Sequence, residues 1–272
     1  MKLRRTLLTL LPKLALSRST GLLTRLPLPS ALRAPFYKRF ARRYGVDLHE
    51  VALPLDQYRS FRDFFIRQLP DGARPVDSTS PLVWPSDSRI VSSGSIAGGR
   101  ILQVKGHDYS LRDLVVDPVL AAALDNGSQA TLYLSPRDYH RVHAPFDAVC
   151  SAKHHVPGKL FPVNPGAQDA IPDLFARNER LVLEMRLASG QVGAVVFVAA
   201  LNVGDIVFEH SLPHRFERGD ELGYFAFGST IIVLLGPGPL RITEQARDTV
   251  VKMGAALPCE TSGTAHLRER ED

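Results

Sequence analysis

A glycine–serine pair near the C-terminal end could support cleavage of the chain's own backbone. Gly228 and Ser229 precede a strongly apolar run at residues 231–235. The Ser229 hydroxyl could attack the Gly228 carbonyl and form an ester, and elimination followed by hydrolysis would leave a pyruvoyl group on residue 229. Glycine tolerates the strained backbone that this attack needs, whereas serine needs a nearby base. Gly-Ser-Thr before a strand is also an ordinary turn sequence.

Two histidines three residues apart could supply that base. His140 and His143 stand within the run Ser-Pro-Arg-Asp-Tyr-His-Arg-Val-His at 135–143. Imidazoles change protonation near neutral pH and serve as general acids or bases. One exposed and one structural histidine would explain the same spacing. The sequence therefore leaves the catalytic interpretation open at this point.

A metal site is a second interpretation of the histidines. His140, His143 and His154 could bind zinc, because imidazoles at short spacing are common zinc ligands. The sequence has no His-Glu-x-x-His motif, however, and Cys150 and Cys259 stand alone. We expect no metal. The isolated cysteines also indicate a reducing compartment.

A turn-borne carboxylate is a third candidate. Asp87 lies in Trp-Pro-Ser-Asp-Ser-Arg-Ile at 84–90, just before a predicted strand. Such an aspartate could hold an imidazole in one tautomer. The same residues also make an ordinary turn.

These residues together resemble the phosphatidylserine decarboxylase family, whose members use a pyruvoyl group. The resemblance covers roughly residues 60–236, with matching blocks in the family's order at 105–111, 133–145, 156–164, 174–180 and 223–230. The string at 135–143 is highly specific. One departure is Phe227, where the family often has leucine before the Gly-Ser pair.

The resemblance implies an enzyme that decarboxylates phosphatidylserine to phosphatidylethanolamine through a Schiff base with a pyruvoyl group made from Ser229. It implies that Asp87, His143 and Ser229 form the self-cleavage set, which produces chains 1–228 and 229–272. We expect His140 to reprotonate the carbanion, although the two histidines could exchange roles. Cationic side chains suited to a phosphate or carboxylate are Arg137, Arg141, Lys159 and Arg177.

Positive charge is concentrated at the N-terminal end. Of the 33 lysines and arginines, eleven lie in residues 1–43, which hold no acidic residue. Leu3, Leu7, Leu10, Leu11 and Leu14 form a helical stripe interrupted by a proline, and a second predicted helix runs from about Pro35 to Gly45. This second helix places Phe36, Phe40 and Tyr44 on one face. The basic residues around that face are Lys38, Arg39, Arg42 and Arg43.

An apolar face with a basic rim is typical of a helix in a membrane interface. A helical pair on its own core is the alternative. No stretch reaches the roughly 18 apolar residues needed to span a bilayer. An Arg-rich, acid-free start could also be a mitochondrial transit peptide. We expect a peripheral protein on the cytoplasmic face of the inner membrane.

The rest of the chain predicts an α+β fold, mainly an antiparallel β body, sandwich or barrel-like, with N-terminal amphipathic helices. We expect a membrane-associating arm at 1–58, a catalytic domain at 59–257 and a flexible tail at 258–272. Predicted strands are 89–91, 101–105, 131–134, 181–186, 192–201 and 230–235. Ser60 and Asp117 are predicted to begin helices.

Three other functions remain open from the sequence alone: a pyruvoyl decarboxylase of a soluble amino acid, a zinc hydrolase, and a non-catalytic membrane-binding module. The expected partners are phosphatidylserine, an anionic membrane surface and the two cleavage chains as a heterodimer or a higher oligomer. We expect no nucleic-acid partner.

Overall fold

The protein is built around an eight-stranded antiparallel sheet. The computed structural model describes residues 23–104, 106–201, 206–225 and 229–261. The strand order in the sheet is β10-β6-β7-β8-β12-β4-β1-β14. The strands of this sheet are β1 (Ser88–Ser95), β4 (Ser128–Leu134), β6 (Ala148–Val156), β7 (Arg180–Leu187), β8 (Val192–Val198), β10 (His214–Phe216), β12 (Ser229–Leu235) and β14 (Val250–Val251).

Smaller sheets extend this body. A three-stranded sheet has the order β5-β11-β9, and two strand pairs, β2–β3 and β13–β15, complete the described strands. Their bounds are β2 (Arg100–Val104), β3 (His107–Ser110), β5 (Arg141–His143), β9 (Ile206–Val207), β11 (Glu221–Phe225), β13 (Leu240–Ile242) and β15 (Cys259–Thr261).

The helices are short except for the first. They are α1 (Ser30–Tyr44), α2 (Phe61–Phe65), α3 (Leu111–Val115), α4 (Pro118–Leu124), α5 (Pro165–Ala170) and α6 (Leu174–Arg177). Ser60 caps α2 in a reciprocal capping box with Asp63, and Asp117 caps α4. Both caps follow from side-chain oxygens that accept the free N–H groups of a first turn.

The central strands are buried on both faces because helices and smaller sheets cover them. Every residue of β12 is buried, and so are all residues of β8 after Val192. Continuous Val, Ile and Leu runs rather than alternating ones fit that position. This burial places both ends of β12, including Ser229, inside the main core.

The N-terminal helix belongs to a second, aromatic core. Tyr37 and Ala41 of α1 are buried together with Tyr58 and Phe64, apart from the main cluster. The rings of Tyr37 and Phe64 stack at 4.6 Å, and Phe40 lies 4.8 Å from Phe61. Residues of the predicted arm and of α2 therefore share one small core.

The structure confirms the α+β class with antiparallel sheet and moves several boundaries. Helix α1 begins at Ser30, five residues before the predicted start at Pro35, which lies inside it. The predicted end is confirmed, since Gly45 closes the helix with a φ of 80°. Strand β6, the nine residues Ala148–Val156, was absent from the expectation.

At the C-terminal end, Cys259–Thr261 pairs with Leu240–Ile242, so the first residues of the predicted tail form a strand. The leucine stripe of residues 3–14 lies outside the described residues. Among the described helices, none is long and apolar enough to cross a bilayer.

Candidate active site

Ser229 begins the strand at the centre of the sheet. It pairs with Leu134 of β4, and the next residue, Thr230, pairs with Val198 of β8. Ser229 is completely buried, and its Oγ has no hydrogen-bond partner among the described residues. A buried hydroxyl without a partner costs about 1–3 kcal/mol. Such a group calls for a functional explanation; Phe227 and Gly228 lie outside the described residues.

The loop between β4 and β5 carries His140 and contacts both Phe225 and Ser229, the residues on either side of 226–228. Leu134, at the start of the loop, lies opposite Ser229. At its end, the His140 carbonyl accepts a hydrogen bond from the N–H of Phe225 at 3.2 Å. Ser135 and Asp138 close the loop, because the Asp138 carboxylate accepts from the N–H and hydroxyl of Ser135, each at 2.7 Å.

His140 is a buried neutral base by geometry. Its Nε2 lies 3.0 Å from the carbonyl oxygen of Ser135. Because a carbonyl only accepts, Nε2 carries the proton, and Nδ1 holds a lone pair. That Nδ1 is buried and has no partner among the residues described. Burial, with the positive charge of Arg67 as a second cause, lowers the pKa of His140 to about 3.

His143 has both ring nitrogens engaged. Its Nδ1 lies 2.7 Å from the Gly219 carbonyl oxygen and so donates to it. Its Nε2 therefore accepts from the Tyr139 hydroxyl at 3.1 Å. Burial lowers the pKa of His143, although the bond to Gly219 opposes this shift. The lowered pKa favours the neutral ring, and Tyr139 covers its basic nitrogen.

Asp87 lies two residues after Pro85, which contacts the His143 strand, and its carboxylate is paired with other groups. The Arg74 guanidinium binds both carboxylate oxygens, at 2.8 and 2.6 Å. The ammonium of Lys252 and the N–H of Met253 each donate to the carboxylate at 3.0 Å. Burial raises the pKa of Asp87, but the bonds from Arg74, Met253 and Lys252 outweigh it and hold the pKa below its ordinary value.

The Asp87 turn still contacts the histidine strand through the backbone. The His143 N–H donates to the Pro85 carbonyl at 2.8 Å. In this structure the acceptor that fixes the His143 tautomer is the Gly219 carbonyl rather than Asp87. The predicted orienting role of Asp87 therefore needs a rearrangement of its bonds with Arg74 and Lys252.

Comparison with known proteins decides the family. The family model described as phosphatidylserine decarboxylase matches residues 61–257. A phosphatidylserine decarboxylase proenzyme of Anaeromyxobacter sp. (strain K) is 41% identical over 271 residues, covering 92% of this chain and 95% of that protein. The proenzyme of Alcanivorax borkumensis is 38% identical, covering 97% and 98%. That of Bordetella avium is 42% identical, covering 85% of each.

The chain belongs to the phosphatidylserine decarboxylase family. The family is one of carboxy-lyases, so the chain is an enzyme. Its matched region begins at α2 and contains Asp87, His140, His143 and Ser229.

The four cationic candidates of this family member fall into two groups. Arg141 is held internally, since its Nη1 lies 2.9 Å from both Glu221 carboxylate oxygens and its Nε donates to Ile66. Arg137 is exposed and lies 3.5 Å from Asp138. Both flank the histidine loop, and Arg137 has the freer guanidinium.

Lys159 and Arg177 form the second group. Both are exposed, and the Lys159 N–H donates to the Arg177 carbonyl at 2.8 Å. Asn178, the residue after Arg177, is buried, and its side chain donates to the carbonyl groups of Phe161 and Ala199. Ala199 directly follows Val198, the partner of Thr230. This group therefore lies at the same end of the sheet as Ser229.

The zinc hypothesis finds no donor cluster in the described part of the chain. No group of three or more His, Cys, Asp or Glu side chains there could hold a metal ion. His154 lies on β6 opposite Val182, and both nitrogens of His143 are bound elsewhere.

Several site residues were not predicted from the sequence. Tyr139 covers His143 and Gly219 fixes its tautomer, while Arg74 holds Asp87. Tyr139 stands inside the motif at 135–143, so its position was a usable signal. Arg74 and the carbonyl of Gly219 offered no such signal, because they approach only through long-range packing.

Proposed function

We propose that the protein decarboxylates phosphatidylserine to phosphatidylethanolamine with a pyruvoyl group formed from Ser229 by self-cleavage of the Gly228–Ser229 bond. The observation that carries the proposal is the Ser229 hydroxyl, which is fully buried, free of described partners and next to the histidine loop. Family membership supports it, and the relatives are named proenzymes.

Self-cleavage proceeds by an acyl shift and an elimination. Ser229 Oγ adds to the Gly228 carbonyl carbon as its proton passes to a base, and the carbon–nitrogen bond breaks to leave an ester and a free amine. Removal of the Ser229 α-proton expels Gly228 as a carboxylate and leaves a dehydroalanine. The free enamine at residue 229 tautomerises to an imine, water adds to the imine carbon, and ammonia leaves to produce the ketone.

His143 is the base that accepts the Ser229 proton. Its hydrogen bonds show that the Tyr139 hydroxyl must move first. Its Nε2 lone pair faces the Tyr139 hydroxyl at 3.1 Å. The bond to Gly219 holds the proton on Nδ1, so Nε2 is the nitrogen that can accept from Ser229. Exchange of the Tyr139 bond for one to Ser229 makes His143 active. An orienting role for Asp87 needs a second change, in which the carboxylate leaves Arg74 and Lys252 and replaces the Gly219 carbonyl as the acceptor from Nδ1.

The surroundings of residue 229 fit a pyruvoyl group, because the buried Ser229 Oγ has no partner among the described residues and the loop that carries His140 begins opposite it at Leu134. When formed, the group supplies a ketone that condenses with the substrate amine and withdraws electrons as CO₂ leaves. His140 would handle the proton: its Nδ1 lone pair would accept a proton that the substrate ammonium loses before condensation, and the resulting imidazolium would return it to the carbon that CO₂ leaves. Burial favours the neutral ring between these steps.

The cleaved chains remain together as a heterodimer. Strand β12 belongs to the smaller chain and is hydrogen-bonded on both sides to β4 and β8 of the larger one. Strand β14 pairs with β1, and Lys252 binds Asp87. Cutting the chain before Ser229 removes one peptide bond and leaves these contacts in place.

The protein acts as a peripheral enzyme on the cytoplasmic face of the inner membrane. Large apolar side chains near α1 are exposed, and the basic residues of α1 are exposed beside them. The apolar residues are Leu23, Leu26, Leu32, Phe36 and Tyr44; the basic ones are Lys38, Arg39, Arg42 and Arg43. Such a surface gains apolar insertion and attraction to anionic headgroups.

The deciding experiment combines intact-mass measurement with an assay of CO₂ release. Purified protein is incubated with phosphatidylserine in mixed vesicles and, separately, with free serine. We expect two chains, a ketone on residue 229 and CO₂ from the vesicles only. CO₂ from free serine would identify a decarboxylase of soluble amino acids, and a persistent intact chain would contradict the proposal.

A further inference from the structure

The segment that ends helix α2 holds the His140 loop through three consecutive residues. The Phe65 ring stacks on the His140 ring, with centroids 4.2 Å apart and an interplanar angle of 30°. The carbonyl of Ile66 accepts from Arg141 Nε at 3.0 Å. The Arg67 guanidinium donates from Nη2 to the Arg137 carbonyl at 3.0 Å. Three adjacent residues thus contact the loop before, at and after His140.

Arg67 is an unusual member of this segment because its charge is buried. The residue is 4% exposed, and it forms no ion pair with any described carboxylate. Its Nε and Nη1 have no hydrogen-bond partner in the described ranges. A buried cation without a counterion costs several kcal/mol. Retaining one beside the active-site loop indicates a use for its charge.

The charge bears directly on His140. The Arg67 guanidinium is held at the loop by its bond to the Arg137 carbonyl, three residues before His140, and its positive charge opposes protonation of the imidazole. The other charged groups around the loop are turned to their own partners: Asp138 binds Ser135, Arg137 lies beside Asp138, and Arg141 binds Glu221. The Phe65 face and the Ser135 carbonyl then fix the plane and tautomer of the ring.

We propose that Arg67 and Phe65 are positioning residues that hold His140 as the neutral tautomer protonated on Nε2, with Nδ1 free to accept a proton during turnover. The catalytic part of this statement rests on the proposed function of His140; the part about tautomer and charge does not. Arg67 acts through its field and through its bond to Arg137, and Phe65 acts through stacking.

Three variants separate these contributions. Arg67→Met removes the charge and the donor, Arg67→Lys keeps the charge without the planar guanidinium, and Phe65→Leu keeps bulk without the aromatic face. Arg59→Met is the matched control, because Arg59 lies just before the α2 cap and is exposed. Unfolding midpoints in urea identify variants that are folded.

The first measurement is the ¹⁵N NMR titration of the imidazoles, with the His140 signals assigned by their loss in His140→Gln. It is made in the full-length Ser229→Ala background and does not depend on self-cleavage or on decarboxylation. The titration runs from pH 8 down to the lowest pH at which each variant stays folded. We expect His140 to stay neutral and protonated on Nε2 at pH 5 and above, and to take up a second proton only near pH 3, in the unaltered site, the lysine variant and the control. In the methionine variant its protonation constant should rise about tenfold or more.

The second measurement is decarboxylation by otherwise wild-type enzyme. Arg67→Met should lower kcat about tenfold to a hundredfold with KM little changed, because general acid–base transfer contributes about that much or more. The acid limb of its pH profile of kcat should move to higher pH. Arg67→Lys should have the acid limb of the wild-type enzyme. Phe65→Leu should lower kcat without moving the limb.

The proposal is overturned if folded Arg67→Met titrates as the unaltered site does, or if Arg67→Lys titrates as Arg67→Met does. If Arg67→Met does not fold, Arg67→Gln replaces it. The protonation constant of His140 must then be higher in Arg67→Gln than in Arg67→Lys. The NMR titrations could come out as expected while the wild-type protein releases no CO₂. That outcome would contradict the proposed function but not the positioning role of Arg67 and Phe65.

Discussion

The N–H of Phe225 donates to the carbonyl of His140 at 3.2 Å. This bond joins the strand before the proposed cleavage site to the residue proposed to move protons in turnover. Four residues later, Ser229 pairs with Leu134 at the other end of the same loop. One loop therefore contacts the chain on both sides of the proposed scissile bond. We expect the following results.

Ser229→Ala should remain a single chain and release no CO₂, because alanine has no hydroxyl to attack Gly228. Scaling the 30.0 kDa mass by 228/272 and 44/272 gives wild-type fragments of about 25 and about 5 kDa. Intact-mass spectrometry and a denaturing gel measure this, and the smaller fragment should be blocked to Edman sequencing. Cutting of the alanine variant at the same bond would contradict the mechanism.

The two histidines should fail at different stages. His143→Ala should slow fragment formation, because it removes the base for Ser229. His140→Ala should be processed but lose about 10²–10⁴-fold in decarboxylation, the usual contribution of general acid–base catalysis. Fragment formation and CO₂ release are followed separately, and His154→Ala is the control. The reverse pattern would exchange the two roles, while full processing and turnover in His143→Ala would end the assignment.

Tyr139→Phe should process at least as fast as wild type. The Tyr139 hydroxyl donates to His143 Nε2, and its removal frees the nitrogen that accepts the Ser229 proton. The rate of fragment formation after a pH jump measures this. Slower cleavage in the phenylalanine variant would instead show that the hydroxyl helps to carry the proton.

Asp87 should stabilise the fold at neutral pH and lose that effect in acid. Because its folded-state pKa is lowered, its contribution is complete above the ordinary carboxyl pKa of about 4 and disappears as pH falls through the folded-state value. Asp87→Asn should cost about 3 kcal/mol at pH 7, since it removes the buried one of the two carboxylates, Asp87 and Glu50, that pair with the half-buried Arg74 at 2.6 Å.

Urea unfolding in the Ser229→Ala background measures this effect. The difference between Asp87→Asn and its parent should shrink steadily below pH 4. Asp71→Asn changes an exposed aspartate and should match the parent throughout. A difference that is the same at pH 7 and pH 3 would show that the carboxylate charge is not what stabilises this site.

The basic surface of α1 should control membrane binding. Replacing Lys38, Arg39, Arg42 and Arg43 with glutamine should weaken co-sedimentation with anionic vesicles, most visibly at moderate salt. The control replaces four exposed arginines of the β body, Arg112, Arg186, Arg215 and Arg241, and makes the same change in net charge. Leu32→Ser with Leu26→Ser should weaken binding even at low salt.

All of these membrane variants should still be cut before Ser229, because none contacts the histidine loop. Equal binding of the α1 set and the β-body set would show that net charge alone matters. Wild-type binding by both α1 variants would place the lipid contact elsewhere.

The sequence by itself determined the fold class, the family resemblance and several local features. The apolar runs at 192–201 and 230–235 predicted strands, which the structure places at Val192–Val198 and Ser229–Leu235. Ser60, Asp117 and Gly45 marked helix boundaries that the structure confirms. These signals are local, because caps and turns use backbone groups a few residues away. Strand β6 was missed because its polar residues, such as Lys153, His154 and His155, obscure the apolar pattern.

Only the tertiary structure decided how the candidate site residues are partnered. Spacing alone cannot show that Asp87 binds Arg74 and Lys252, or that Gly219 accepts from His143. It also cannot show which histidine has a free nitrogen, because the answer depends on a carbonyl of Ser135 and a hydroxyl of Tyr139. Those contacts form when distant strands pack together, so hydrogen-bond partners, burial and charge at the site are properties of the fold.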